Sequence, residues 1–179
     1  IIIGATSGIG KELALLYLKA GNRVGITGRR TELLEEIKQQ FPALVVTETF
    51  GVTGNDNISR LGSLISKLGG MDLFVYNSGY GDASKDLNWV MDKTTTLINV
   101  NGFIETTNYA FNYFVKQGHG QIAATSSIAA YRGGSWAPAY NASKAFMSNY
   151  MEGITIKAYR LKAKIAVTDI QPGFVQTAM

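Results

Sequence analysis

The chain of 179 residues has no cysteine, one histidine and three prolines. Without thiols, disulfides and thiolate metal centres are excluded, there is no Cys/His finger spacing, and a cytosolic setting is the default expectation. No apolar run approaches the roughly 18–20 residues that span a bilayer. The opening "IIIGATSGIG" lacks the basic n-region of a signal peptide. Polybasic runs are also missing. The 17 lysines and arginines are scattered, so the net charge of +4 and pI of about 9.2 give no nucleic-acid footprint. A mild positive excess suits an anionic cofactor instead.

What is present is a globular composition, 46% hydrophobic and 17% charged, enough for one domain with a real core. Short apolar runs alternate with helical periodicity. Strands are expected at 1–6, 23–27, 43–50, 71–79, 120–127 and 164–173. Helices are expected at 10–21, 30–41, 55–70, about 87–117 (with a short helix before it) and 137–163. The third helix is expected to be capped near Asn55 or Asp56 and closed by Gly69 and Gly70. Six strands with short crossovers predict an α/β doubly wound parallel sheet, a Rossmann fold of strand order 3-2-1-4-5-6 with helices on both faces. Nothing marks a second domain. The chain starts inside the first strand and stops at Met179 after "PGFVQTAM". The single domain over residues 1–179 is therefore expected to be truncated at both ends, without its C-terminal substrate segment.

The first strand runs into "GATSGIG", with Gly4, Gly8 and Gly10 spaced G-x-x-x-G-x-G ahead of a helix. A tight turn that lets backbone approach a pyrophosphate needs such glycines, and the helix N-terminus supplies N–H donors. Thr6 and Ser7 add hydroxyls. At the end of the second strand, where an acid would grip the ribose of NAD, stands Gly28 followed by Arg29 and Arg30. Guanidinium groups there favour a 2′-phosphate, hence NADP(H) over NAD(H). In "YNASK", Tyr140 and Lys144 are four apart on one helix face, about 5–6 Å at Cβ. An ammonium beside a phenol favours phenolate and lowers a pKa that is otherwise near 10, bringing it within reach of acid–base work.

Together these motifs resemble the short-chain dehydrogenase/reductase family over essentially the whole chain. "GATSGIG" matches TGxxxGIG, with Ile3 at the usual threonine position. "YNSG" (76–79) matches NNAG with Tyr76 and Ser78 as departures. "NVNGF" (99–103), "TSS" (125–127), "YNASK" as YxxxK, and "PGFVQT" (172–177) follow in order. The family's acid after the third strand is replaced by Gly51, with Val52 next.

The resemblance implies a ketone/aldehyde–alcohol oxidoreductase in which Tyr140 is the general acid/base. Lys144 lowers the pKa of Tyr140 and bonds the nicotinamide ribose. Ser127, thirteen residues before Tyr140, holds the substrate oxygen in preference to Ser126. Asn99, three before Gly102, anchors a proton-relay water, with Asn101 a second candidate. It also implies cofactor contacts from Gly4, Thr6, Ser7, Gly8, Ile9 and Gly10 in the first loop, and from Arg29 and Arg30. Further contacts are implied from Asn77, Ser78 and Gly79, and from Pro172, Gly173, Val175 and Thr177 along the nicotinamide. A homodimer or homotetramer is expected, with a small-molecule carbonyl or alcohol substrate and neither nucleic acid nor membrane as partner. The competing expectation is a dinucleotide-binding regulatory or structural protein that is catalytically silent.

Outside these motifs, His119 is expected to face solvent. Tyr109, Phe111, Tyr113 and Phe114 are expected to pack helix on core, Trp136 is a candidate pocket lining, and Asp72 and Asp169 at strand ends read as structural.

Overall fold

In this computed structural model, residues 1–176 are described. Six strands form one parallel sheet: β1 (Ile2–Ile3), β2 (Val24–Gly28), β3 (Val45–Thr49), β4 (Leu73–Tyr76), β5 (His119–Thr125) and β6 (Lys164–Ile170). Their order is β3-β2-β1-β4-β5-β6, as expected from the strand–helix alternation. Ile2 stands opposite both Ile26 and Val75 in register, so the short β1 is the hinge of the sheet.

The period of two along each strand divides the core. Ile2, Val24, Ile26, Val45 and Val75 pack against α1 (Gly8–Lys19) and α2 (Thr31–Gln40). Ile3, Phe74, Tyr76, Ile122, Ala124 and Ile165 face the other way, under α3 (Asn57–Leu68), α5 (Phe103–Gln117) and α6 (Pro138–Arg160). Near-continuous apolar strands follow from this burial on both faces. Phe111 and Phe114 are buried, with Tyr109 and Tyr113 packed against the same core.

Helix boundaries follow local chemistry. Pro138 opens α6, where its missing N–H costs nothing. Gly69 and Gly118 close α3 and α5 in the left-handed conformation at φ 84° and 90°. Asp56 precedes α3, but its side chain makes no cap hydrogen bond; it pairs with Arg60 at 2.5 Å.

Two expectations are corrected. The segment from 77 to 88 contains no helix: the Tyr80 N–H and carbonyl are both taken by the Asn99 side chain, and Gly79 and Gly81 lie against Lys144 and Tyr140. The long helix begins at Trp89, where Asn88 Oδ1 accepts the N–H groups of Val90 and Met91 at 3.0 and 3.3 Å. That helix is also interrupted: α4 (Trp89–Thr96) passes into α5 through a π-helical stretch, Leu97–Gly102, around Asn99. Among the described residues, no helix is long and apolar enough to cross a membrane, and no cluster of three or more His, Asp or Glu is placed to hold a metal.

Candidate active site

The C-terminal ends of β1, β4 and β5 meet at the point where the sheet order reverses, the place where such folds bind ligands. On one side lies the glycine loop. Gly4 and Gly8 adopt φ of 86° and 56° as the chain turns from β1 into α1. A Cβ at Gly10 would stand 2.2 Å from the Gly4 carbonyl and 2.5 Å from Asn77 Nδ2, and one at Gly4 would stand 2.6 Å from Ser78 Oγ. The glycines therefore let this loop close onto the segment after β4. Asn77 ties the two together: its Nδ2 donates to Gly4 O at 3.1 Å, and its Oδ1 accepts from Thr125 Oγ1 at 3.0 Å. The first N–H groups of α1, at Gly8, Ile9 and Gly10, have no intrahelical acceptor and form a cradle for an anion.

At the edge of this cradle, Arg30 Nη2 donates to Thr6 Oγ1 at 2.8 Å and to Ser7 Oγ at 2.9 Å. Ser7 thus serves Arg30 rather than capping α1. The Arg29 stem crosses Gly51, where a Cβ would come 3.1 Å from its Cγ. At Gly28 a Cβ would meet Thr6 Cγ2 at 2.3 Å. Any side chain at position 28 would thus press on Thr6, and the two residues that follow at the end of β2 are both arginines. These residues fit the phosphate and ribose end of a dinucleotide.

Tyr140 and Lys144 lie one turn apart on α6. The Lys144 Nζ is 5.6 Å from the Tyr140 ring centroid and donates to Thr125 O at 2.8 Å. Lys144 is only 3% exposed. Burial pushes its pKa down to about 8, and attraction to Asp169 partly opposes that shift. The Tyr140 ring packs over Gly81, where a Cβ would lie 2.3 Å from Tyr140 Cδ2.

Asn99, fully buried, spends its amide on the loop and on α6. Its Nδ2 donates to Tyr80 O at 2.8 Å and to Ser143 Oγ at 2.9 Å, and its Oδ1 accepts from Tyr80 N at 2.9 Å. Asn101 is exposed. Gly79 lies between the two polar centres: a Cβ there would be 3.5 Å from Lys144 Nζ and 3.8 Å from Asn99 Oδ1.

The two serines separate by environment. Ser126 Oγ bonds Asp169 Oδ1 and lies beneath α6. Ser127 leaves the strand and caps the 3-10 turn Ile128–Tyr131, its Oγ accepting from Ala129 N at 3.1 Å. Pro172 O accepts from Ile128 N at 3.1 Å, and a Cβ at Gly173 would lie 3.7 Å from Ile128 Cδ1, so Pro172 and Gly173 run beside this turn; Val175 follows, half exposed. Thr177 lies outside the described residues. Trp136 is 62% exposed, with its carbonyl accepting from Ser84 N at 2.9 Å, which places it where two loops meet before α6. His119 is exposed, 3.5 Å from Asp72 at the opposite end of the sheet.

Sequence reasoning passed over two residues inside "YNASK". Asn141 Nδ2 donates to Ala129 O at 3.0 Å and Arg132 O at 2.8 Å, clamping the Ser127 turn to α6. Ser143 relays Asn99 to the Tyr140 carbonyl, its Oγ donating at 2.7 Å. Their place between Tyr140 and Lys144 was the available signal.

A family model of the short chain dehydrogenases matches residues 1–179. An uncharacterized oxidoreductase of Myxococcus xanthus is 34% identical over 185 residues, covering all of this chain and 72% of that protein. The crystal structure of an NADPH-dependent 3-quinuclidinone reductase from Rhodotorula rubra superposes with a TM-score of 0.85 at 26% identity, over 99% of this chain and 70% of that one. In fold, the chain also matches a 3-ketoacyl-(acyl-carrier-protein) reductase from Brucella melitensis complexed with NADH, with a TM-score of 0.91 at 23% identity over 99% and 75% of the two chains.

Proposed function

The chain belongs to the short-chain dehydrogenase family of oxidoreductases, and on that premise we propose that it interconverts a ketone or aldehyde and its alcohol, preferring NADP(H), with Tyr140 as the acid–base group. The observation that carries this reading is Lys144: a buried ammonium one helical turn from Tyr140, its Nζ 5.6 Å from the centre of that ring. A buried charge this costly persists where it has work to do.

When bound, the dinucleotide supplies or accepts the hydride. Everything else falls to the chain. Tyr140 Oη gives its proton to the substrate oxygen during reduction and takes it back during oxidation. Lys144 stabilises the phenolate that this leaves, which lowers the cost of proton transfer near neutral pH. Ser127 Oγ hydrogen-bonds the substrate oxygen and so fixes the carbonyl carbon. Asn99 Oδ1 keeps one lone pair free, and with Lys144 Nζ it converges on Gly79. A water between them would return protons from solvent to the pair. Gly4, Thr6, Ser7, Gly8, Ile9, Gly10, Asn77, Ser78 and Gly79 are read as the cofactor cradle. Pro172, Gly173 and Val175 are assigned to the nicotinamide side. Arg29, given room by Gly51, and Arg30, held on Thr6 and Ser7, support the preference for a 2′-phosphate. Exposed Val115 on α5, and Phe146 and Ile156 on α6, support a homo-oligomer through these helices.

The test is Tyr140→Phe. NADPH binding, followed by fluorescence, should persist within about twofold, while turnover of a carbonyl panel should fall by about 10²–10⁴-fold. Near-normal turnover in that variant would sink the mechanism. Binding without turnover in the wild type would favour a catalytically silent dinucleotide-binding protein.

A further inference from the structure

The alternation of β6 places an unexpected charge under α6. Ile165, Val167 and Asp169 share one face, and on β5 and its exit Ile122, Ala124 and Ser126 share the same one. Four of these positions pack as core, and Asp169 follows them where an apolar residue would continue the pattern. The carboxylate is held on both oxygens: Oδ1 accepts from Ser126 Oγ, and Oδ2 accepts from Gln171 Nε2 at 2.7 Å. Ser148, one turn beyond Lys144 on α6, joins the network, donating to Ser126 Oγ at 3.3 Å and accepting from Gln171 Nε2 at 3.2 Å.

Asp169 is therefore anchored on the sheet below the Lys144 helix, one turn along it. Among the described residues, the groups that meet the Lys144 ammonium directly are Thr125 O and Met147 Sδ at 3.7 Å, with Asn99 Oδ1 across Gly79. From its own helix it faces Tyr140. None of these carries an opposing charge while Tyr140 is protonated. Glu152, two turns further along α6, shares an open cleft with Asp169.

We propose that Asp169 is a positioning residue for the acid–base pair, whose fixed negative charge keeps Lys144 an ammonium. This rests on the reading of Tyr140 and Lys144 as that pair. Lys144 Nζ bonds the carbonyl of Thr125, the residue before the Ser126 whose hydroxyl holds the carboxylate; burial lowers the Lys144 pKa, attraction to Asp169 opposes that, and about 8 is the balance of the two. Without that charge, Lys144 would lose its proton within the working range, and Tyr140 would lose the neighbour that stabilises its phenolate. The reading of Asp169 as merely structural would leave the titration of Lys144 untouched.

Two variants separate charge from contact. Asp169→Asn keeps an acceptor for Ser126 and removes the charge; Ser126→Ala removes the hydrogen bond and keeps the charge. Lys144 is titrated by NMR of its side chain in the cofactor-free protein, and the alkaline limb of kcat/KM is measured for carbonyl reduction with NADPH. Asp169→Asn should move both downward by about one pH unit, with NADPH affinity little changed, while Ser126→Ala leaves both in place. An unmoved Lys144 titration in Asp169→Asn, or an equal displacement in Ser126→Ala, overturns the proposal. If Asp169→Asn does not fold, Asp169→Thr serves the same comparison. A wild type without turnover would refute the proposed function, and the Lys144 titration would still decide this inference.

Discussion

Replacing Lys144 by methionine should stabilise the protein near neutral pH while abolishing its chemistry. Lys144 has a folded-state pKa of about 8 against an ordinary value of 10.5, a depression caused first by burial. At about 1.4 kcal/mol per pH unit, that gap corresponds to roughly 3 kcal/mol of destabilisation wherever both states are protonated. The unfolded chain binds the extra proton between the two values. Stability from this group therefore climbs as pH rises from about 8 to 10.5, and falls away again as pH drops through 8.

Methionine fills a similar volume without charge. It leaves one lone pair of Thr125 O unmet, which costs about 1–2 kcal/mol. The net expectation at pH 7 is about 1–2 kcal/mol in favour of the variant, or a Tm higher by about 5 °C for a chain of this size. Urea denaturation of both proteins at several pH values from 7 to 10.5 measures the difference, in which every other titrating group cancels. A difference that does not change with pH, or a Lys144→Met protein less stable than wild type by more than about 1 kcal/mol at pH 7, would refute the account of a strained buried ammonium.

Two further outcomes follow from the site geometry. Arg30→Ala and Arg29→Ala should each weaken NADPH binding by about 10-fold or more and NADH binding much less, because a charged hydrogen bond to phosphate is at stake in one case only; equal losses for both nucleotides, by calorimetric titration, would remove the 2′-phosphate assignment. Asn99→Ala strips partners from the Tyr80 N–H, the Tyr80 carbonyl and Ser143 Oγ. It should cost about 2–4 kcal/mol by denaturant unfolding, and a neutral result would mean that the loop after β4 is held by something else.

Much of this was legible in the chain. Alternating apolar runs and helical stretches dictated the sheet order, because parallel strands with short crossovers have few right-handed solutions. Glycine spacing pointed to the cradle, because only glycine tolerates both the turn and the approach of Asn77 and Ser78. The family resemblance implied Ser127 rather than Ser126, and what the structure adds is their environments: Ser126 bonds Asp169, while Ser127 caps the turn that follows. The π-helical stretch at Leu97–Gly102 was invisible, since a π turn has no periodicity of its own over six residues. The clamps made by Asn141 and Ser143 were hidden for another reason: a side-chain amide or hydroxyl on a helix gives no hint of which loop will come to meet it.

The sequence by itself determined which residues are apolar, where the chain must turn, and that a tyrosine and a lysine share a helix face. Those are local facts, set by side-chain chemistry and backbone sterics within a few residues. Only the tertiary structure decided that the lysine would be buried on the Thr125 carbonyl, and that Asp169, read in isolation as a strand-end residue, would be the charge beneath it. Burial and charge separation depend on segments 19 or more residues apart, and only packing brings those together.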